Sequence, residues 1–134
     1  AQGVTLDTSS VEAVAVEYDL DLMVRLLWNL LDNALEHTSA GGRVAVGAQN
    51  GERGAILWVE DSGPGIQVED RDRVFERFFR ADESRGPRPG GRQGTGLGLS
   101  IVRAVARAHG GEAEVADGPL GGARFTVYIP GTPS

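Results

Sequence analysis

A long amphipathic helix is the sequence feature that most limits how this chain can fold. Seven apolar residues recur at intervals of three and four along the chain, and they are Leu22, Leu26, Leu27, Leu30, Leu31, Ala34 and Leu35. This period places them on one side of a helix, which must bury that side against another layer. The helix is predicted to begin at Asp19, because Asp19 and Asp21 complement the helix dipole, and to end at Gly41 and Gly42.

The other segments predict that the covering layer is a β-sheet. Polar residues 7–10 and the pair Asn50 and Gly51 are expected to form turns. Further helices are expected over residues 68–79 and 97–109, and the segment 80–95, rich in Gly, Pro and Arg, is expected to be a mobile loop. Strands are predicted at residues 4–6, 11–16, 43–49, 55–60, 112–116 and 124–130. Because helices and strands do not alternate one for one, we expect an α+β fold, a two-layer sandwich.

Composition narrows the classes of function that remain. A chain of 134 residues with 40% hydrophobic and 24% charged residues is typical of one soluble domain. Its net charge of -6 argues against nucleic-acid binding, and the absence of cysteine excludes disulfides and thiolate chemistry. All 13 basic residues are arginine, which excludes a lysine phosphate clamp. The longest apolar stretch, residues 22–31, is too short and polar to span a bilayer, so we expect no membrane contact by this domain.

Three glycines two residues apart, Gly94, Gly96 and Gly98, precede the predicted helix 97–109. A helix N-terminus offers unpaired N–H groups and partial positive charge, and glycine lets the backbone approach an anion closely. The run is not a dinucleotide fingerprint, because Leu99 occupies the place of the third glycine. It predicts a phosphate site at which backbone amides, arginines, polar amides and a metal ion would neutralise a triphosphate.

The first long helix also carries polar residues at helical spacing. Asn29, Asn33 and His37 are four residues apart and therefore share a face. A lone asparagine there is more often simply solvated, but this polar stripe adjoins the apolar one. An asparagine carbonyl is a suitable ligand for Mg²⁺ that bridges phosphates.

A third candidate for the nucleotide site is the loop after the strand predicted at residues 55–60. Asp61 at its end could accept a hydrogen bond from the exocyclic amine of adenine, while Gly63 and Gly65 would let the base approach the backbone. A plain turn is an equally good interpretation of this pentapeptide.

The predicted loop 80–95 carries four arginines, which could close over phosphates, although a solvated loop is favoured when the segment is taken alone. They are Arg80, Arg85, Arg88 and Arg92. The aromatic residues just before this loop, Phe75, Phe78 and Phe79, are expected by default to pack in the core.

Taken together, these segments resemble the ATP-binding catalytic domain of bacterial sensor histidine kinases. Residues 29–38 are similar to the N box of that family, 61–66 to its first glycine box, 75–80 to its phenylalanine box and 94–99 to its second glycine box. His109 with Gly110 and Gly111 also fits the family pattern. The four boxes occur in order and cover nearly the whole chain.

The resemblance implies a Bergerat ATP-binding fold, with a mixed sheet of about five strands, about three helices and a flexible ATP lid over residues 67–95. It implies ATP and Mg²⁺ as cofactors, with Asp61 on the adenine amine and Asn33 on the metal. Asn29, near the phosphates, and Arg80, at the γ-phosphate, would be the catalytic residues. The other nucleotide contacts that it implies are His37, Gly63, Gly65, Ile66, Phe75, Gly94, Thr95, Gly96, Leu97, Gly98 and Leu99.

The family transfers the γ-phosphate of ATP to a histidine on a separate helical dimerisation domain, and the phosphoryl group passes on to a response regulator. The resemblance therefore implies a cytoplasmic domain of a membrane-anchored sensor. We expect residues 1–134 to be a single catalytic domain without the phosphoacceptor helices, because neither His37 nor His109 has the sequence context of an acceptor. The chain should bind ATP without autophosphorylation. Glu36 stands where many members carry a basic phosphate contact, so that contact is expected to be missing.

Other functions remain open on the sequence. Hydrolases of the gyrase, Hsp90 and mismatch-repair type share the fold but place a glutamate four residues before the metal-binding asparagine, where this chain has Asn29. Serine-directed kinases of the anti-sigma type likewise tend to carry an acid there. A non-catalytic nucleotide-sensing module is the third alternative.

Overall fold

The computed structural model describes residues 3–11, 18–51, 54–76 and 98–131. These ranges contain one five-stranded sheet, two α-helices and a short 3-10 helix at Val68–Asp70. The elements in chain order are β1 (Thr5–Val11), α1 (Leu20–His37), β2 (Arg43–Gly51), β3 (Gly54–Asp61), α2 (Gly98–Ala108), β4 (Glu112–Asp117) and β5 (Ala123–Pro130). The expected α+β class is confirmed.

The sheet has the strand order β1-β2-β3-β5-β4. β1 runs parallel to β2, while every other pair is antiparallel, so the sheet is mixed, as the resemblance implied. Both helices cover one face of it, and the two layers meet through fully buried side chains. These are Leu26 and Leu30 of α1, Val102 of α2, and Val44, Val59 and Val127 of the sheet.

Helix α1 begins where the sequence predicts. The carboxylate of Asp19 caps it by accepting a hydrogen bond from the Leu22 N–H at 3.1 Å. The helix ends at His37, a few residues before the two glycines, because Thr38 takes an extended backbone conformation. The Thr38 hydroxyl then donates to the Ala34 carbonyl at 2.6 Å, which satisfies one of the last carbonyls of the helix.

Three predicted elements differ in the structure. The turn expected at Asn50 and Gly51 is wrong, because both residues belong to β2 and pair with Ala55 and Gly54 of β3. The hairpin itself is confirmed.

The turn expected at residues 7–10 is also wrong, because one strand runs through Thr5–Val11. The Asp7 carboxylate accepts from the Ser9 N–H, and the pairing with β2 shifts between Asp7 and Ser10, so an irregular edge strand absorbs these polar residues. The helix expected over residues 68–79 is only a 3-10 helix at Val68–Asp70 that continues as hydrogen-bonded turns to Phe75, and residues 77–79 lie outside the described ranges.

Helix α2 and its C-terminal stop agree with the sequence. Gly110 has a φ of +79°, and its N–H donates to the Arg107 carbonyl while the Gly111 N–H donates to the Ala106 carbonyl. A glycine in this conformation is a common helix stop. Across the four described ranges, neither α-helix combines the length and apolar character that crossing a membrane requires.

Candidate functional site

The three polar residues of α1 lie on its half-buried flank. The Asn29 side-chain amide donates to the Arg25 carbonyl at 2.9 Å, and the His37 ring Nδ1 donates to the Asn33 carbonyl at 2.8 Å. Each bond spans one helical turn, so Asn29 and His37 are held in place by the helix itself. No hydrogen bond to another described residue engages the side chain of Asn33.

The beginning of α2 lies against this flank. A Cβ placed on Gly98 would lie 3.3 Å from the Asn29 side-chain oxygen, so Gly98 is the close neighbour of Asn29. The first N–H groups of a helix have no intrahelical partner and attract anions. Asn29 and the N-terminus of α2 therefore form one polar end of the candidate site.

Asp61 ends β3 and is 2% exposed. Its Oδ1 accepts hydrogen bonds from the Gly63 N–H at 2.9 Å and from the Ala123 N–H of β5 at 3.4 Å. The Gly122 N–H donates to the Asp61 carbonyl at 3.1 Å. The carboxylate is therefore oriented by backbone groups of its own loop and of the loop before β5.

Two glycines make this arrangement possible. A Cβ on Gly63 would lie 2.3 Å from the His37 carbonyl oxygen, and a Cβ on Gly122 would lie 2.3 Å from the Asp61 Oδ1. Gly63 thus joins the Asp61 loop to the end of α1. Gly122 was not among the site residues expected from the sequence, and the one signal that could have found it is the doubled glycine immediately before β5.

The other residues of the first glycine box form the outer part of the same loop. Gly65 has a φ of +80° and faces Gly122. Ile66 packs against the core, and its carbonyl accepts from the Arg71 Nε at 3.2 Å. Arg71 also reaches Asp117 at the end of β4, at 2.7 Å, so this pair braces the loop against the sheet. Arg71 was not singled out by the sequence.

Phe75 occupies a core position. Its ring is 5% exposed, meets Phe125 edge to face at a centroid distance of 6.0 Å, and lies under the Arg103 guanidinium. This confirms the core position expected for Phe75, while Phe78 and Phe79 lie outside the described residues. It leaves little of the ring available to a nucleotide.

Several sequence candidates fall outside the described residues, and they are Arg80, Gly94, Thr95, Gly96 and Leu97. The remaining residue of the second glycine box, Leu99, lies in the first turn of α2 and packs against the core. In the ranges that the structure describes, no three His, Cys, Asp or Glu side chains gather as a metal site. A magnesium ion shared with phosphates needs only one or two protein ligands, and the half-buried amide of Asn33 fits that requirement.

The two ends of the site are separated along α1. Gly63, whose N–H donates to Asp61, meets the helix at His37, whereas Gly98 meets it at Asn29. These positions are eight residues apart, which corresponds to about 12 Å along a helix. The polar flank of α1 is therefore a track with a carboxylate loop at one end and a helix N-terminus at the other.

Comparison with known proteins shows the family of this chain. Residues 18–133 match the family of histidine kinase-, DNA gyrase B-, and HSP90-like ATPases. The signal transduction histidine-protein kinase BaeS of Escherichia coli (strain K12) is 35% identical over 130 residues, which are 97% of this chain and 27% of that protein. The sensor protein SrrB of Staphylococcus aureus (strain NCTC 8325 / PS 47) is 38% identical over 113 residues, 84% of this chain and 19% of that protein. The chain spans only about a quarter of these relatives or less.

Solved structures give the same result. A mycobacterial sensor histidine kinase, MprB, superposes with a TM-score of 0.81 at 34% identity, over 98% of this chain and 85% of that one. The ATP-binding domain of PrrB from Mycobacterium tuberculosis superposes with a TM-score of 0.78 at 26% identity, over 99% of this chain and 84% of that one. The chain thus belongs to the histidine kinase-, DNA gyrase B-, and HSP90-like ATPase family, as an ATP-binding catalytic domain of the sensor histidine kinase type.

Proposed function

We propose that this chain binds Mg-ATP along the polar flank of α1 and that, within a longer sensor protein, it donates the γ-phosphate to a histidine of a helical dimerisation domain. The phosphoryl group would then pass to a response regulator. The observation that carries the proposal is the track of about 12 Å between the Asp61 loop and the start of α2. A nucleoside triphosphate needs separate sites of this kind for its base and its phosphates.

Asp61 is suited to hold the base. Both hydrogen bonds that the described residues make to its carboxylate go to Oδ1. The second oxygen, Oδ2, is thereby left to accept from the exocyclic amine of adenine. Because a carboxylate only accepts hydrogen bonds, a base with a carbonyl at that position would be disfavoured.

Asn29, Asn33 and Gly98 are suited to the phosphate end. The Asn29 oxygen next to Gly98 lies where α2 presents its first N–H groups. A bound Mg²⁺ would supply positive charge to the phosphates, and the side-chain oxygen of Asn33 would hold it. Arg80, Gly94, Thr95, Gly96 and Leu97 are proposed as further contacts on the family resemblance alone.

A kinase is favoured over a hydrolase by the chemistry of Asn29. A hydrolase of this family needs a carboxylate that takes a proton from water, and the Asn29 amide cannot act as that base. Its amide is moreover used as a donor to the Arg25 carbonyl. Sustained ATP turnover by the chain alone would favour the hydrolase alternative instead.

The longer protein would carry this domain on the cytoplasmic side of a membrane, where ATP is available. Both ring nitrogens of His109 are engaged, since Nδ1 donates to the Val105 carbonyl and Nε2 accepts from the Asp19 N–H. His37 lacks the sequence context of a phosphoacceptor. The chain alone should therefore not autophosphorylate, and stable radiolabel from ATP on either histidine would overturn that expectation.

Calorimetric titration with ATP and ADP, with and without Mg²⁺, tests the proposal. Asp61→Asn should weaken both nucleotides about ten- to a hundredfold, since a hydrogen bond to a charged acceptor contributes about 1.5–3 kcal/mol. Asn33→Ala should reduce chiefly the part of the affinity that depends on Mg²⁺. Asp21→Asn, which removes an exposed carboxylate of the same helix, is the matched control and should bind like the wild type. Absence of binding by the wild type, or unchanged binding by Asp61→Asn, would refute the proposal.

A further inference from the structure

His109 connects the two helices that frame the phosphate end. Its ring Nε2 accepts a hydrogen bond from the Asp19 backbone N–H at 2.9 Å, and its Nδ1 donates to the Val105 carbonyl at 2.8 Å. A backbone N–H can only donate and a carbonyl can only accept, so this geometry requires a neutral imidazole with its proton on Nδ1. The ring thereby ties the C-terminal end of α2 to the N-cap of α1, 90 positions away in sequence.

The same helix pair has its second close contact at Asn29 and Gly98. Asn29 lies ten residues after Asp19, and Gly98 lies eleven residues before His109. At about 1.5 Å per residue, the two contacts are about 15 Å apart on each of two antiparallel helices. A slide of α2 by one residue at the His109 end would therefore move Gly98 by about 1.5 Å relative to the Asn29 side chain.

We propose that neutral His109 is a positioning residue that sets the register of α2 against α1, and so holds Asn29 at the N-terminus of α2 where the phosphates bind. The inference rests on the proposed nucleotide function. His109 would act through the packing of the two helices and not by contact with the nucleotide. Removal of the Nε2 acceptor should therefore release this tie and weaken nucleotide binding.

The charged neighbours on each element packed at this end do not replace the lost acceptor. The Asp19 carboxylate is used to cap the Leu22 N–H, and both arginines of the last turns of α2 pair with the first residue of β4. β5 contributes Pro130, which lies against Gly110 and carries no charge. The charged residues of the elements packed at this end are the N-cap Asp19 and Asp21 of α1, Arg103 and Arg107 of α2, and Glu112 of β4.

Titration of Mg-ATP into the wild type, His109→Ala and His109→Gln at pH 8.0 tests the inference. His109→Ala should bind about two- to tenfold more weakly than the wild type, the range that corresponds to one lost hydrogen bond. His109→Gln keeps a side-chain oxygen that can accept from the Asp19 N–H, so it should bind more tightly than His109→Ala and close to the wild type. Ala108→Gln, at the exposed neighbouring position, is the control for a changed side chain at the end of the helix.

Hydrogen exchange of the Asp19 amide, followed by NMR in the absence of nucleotide, gives a second measurement that does not depend on binding. This amide should be protected in the wild type and lose that protection in His109→Ala. A wild type that binds no Mg-ATP would contradict the proposed function, whereas normal binding with equal affinities for the wild type and His109→Ala would overturn only the role of His109. If His109→Ala does not fold, an Asp19 amide that exchanges freely in the folded wild type overturns it equally.

Discussion

Gly122 shows how a single residue shapes this site, since the Asp61 carboxylate fits only because position 122 has no side chain. Gly122→Ala would place a Cβ 2.3 Å from the Asp61 Oδ1 and 2.5 Å from the Asp61 carbonyl oxygen. The carboxylate must then move, so we expect Mg-ATP affinity to fall at least about tenfold and stability to fall by about 1–3 kcal/mol. Calorimetry and urea unfolding measure the two effects.

Gly121→Ala is the matched control for this change. Among the described residues beyond its chain neighbours, no atom lies within 4 Å of the place that a Cβ on Gly121 would take, but its φ of +98° disfavours a side chain. The variant should lose about 1 kcal/mol of stability through backbone strain and keep its nucleotide affinity. Wild-type affinity in Gly122→Ala would show that the close packing against Asp61 does not matter for binding.

At the scale of elements, Glu112 joins the beginning of β4 to α2. The Ala113 N–H, and after it Arg103 and Arg107, hold the pKa of the Glu112 carboxyl at about 2, below its ordinary value of 4.5. A pKa that is lower in the folded state stabilises the fold above the unfolded pKa, and this contribution is lost as the pH falls from about 4.5 towards 2. Because the group is half exposed, its contribution should be about 1 kcal/mol or less.

Glu112→Gln tests this pairing by urea unfolding across a pH series. The variant should be slightly less stable than the wild type at pH 7, and the difference should vanish as the pH approaches 2. Glu69→Gln, at an exposed position, should match the wild type at every pH. A difference in the free energy of unfolding that stays constant with pH would contradict the assignment.

For the whole molecule, Phe125 is the residue that holds the layers together near the site. It is fully buried on β5 and meets the Phe75 ring, which Arg103 of α2 covers. Phe125→Ala should lower the free energy of unfolding by about 3–5 kcal/mol, a large share of the 5–15 kcal/mol of a typical domain. Urea unfolding followed by circular dichroism measures the loss.

Tyr128→Phe on the same strand is the control for Phe125→Ala. It removes only an exposed hydroxyl that donates to Glu114 at 2.8 Å, so its effect should stay within about 1 kcal/mol. If Phe125→Ala also lowered the free energy of unfolding by less than about 1 kcal/mol, the core would not depend on the Phe125 ring.

Much of this architecture could be predicted from local sequence. The apolar period of Leu26 and Leu30 predicts α1, and the alternating segments on either side of Asn50 predict the hairpin of β2 and β3, because such patterns reflect contacts within a few residues. The turn itself was predicted too early, since Asn50 still lies in β2. The same reasoning was wrong at residues 7–10. There, pairing with β2 extends an edge strand through a polar segment that local preferences assign to a turn.

The sequence by itself determined helices α1 and α2, the hairpin of β2 and β3, and the order of the four boxes. Only the tertiary structure decided that β1 pairs parallel to β2, that Gly122 lies against Asp61, and that His109 accepts from Asp19. The physical reason is distance along the chain. Asp61 and Ala123 are 62 positions apart and His109 and Asp19 are 90 apart, so their partners depend on how the helices pack on the sheet and not on any local periodicity.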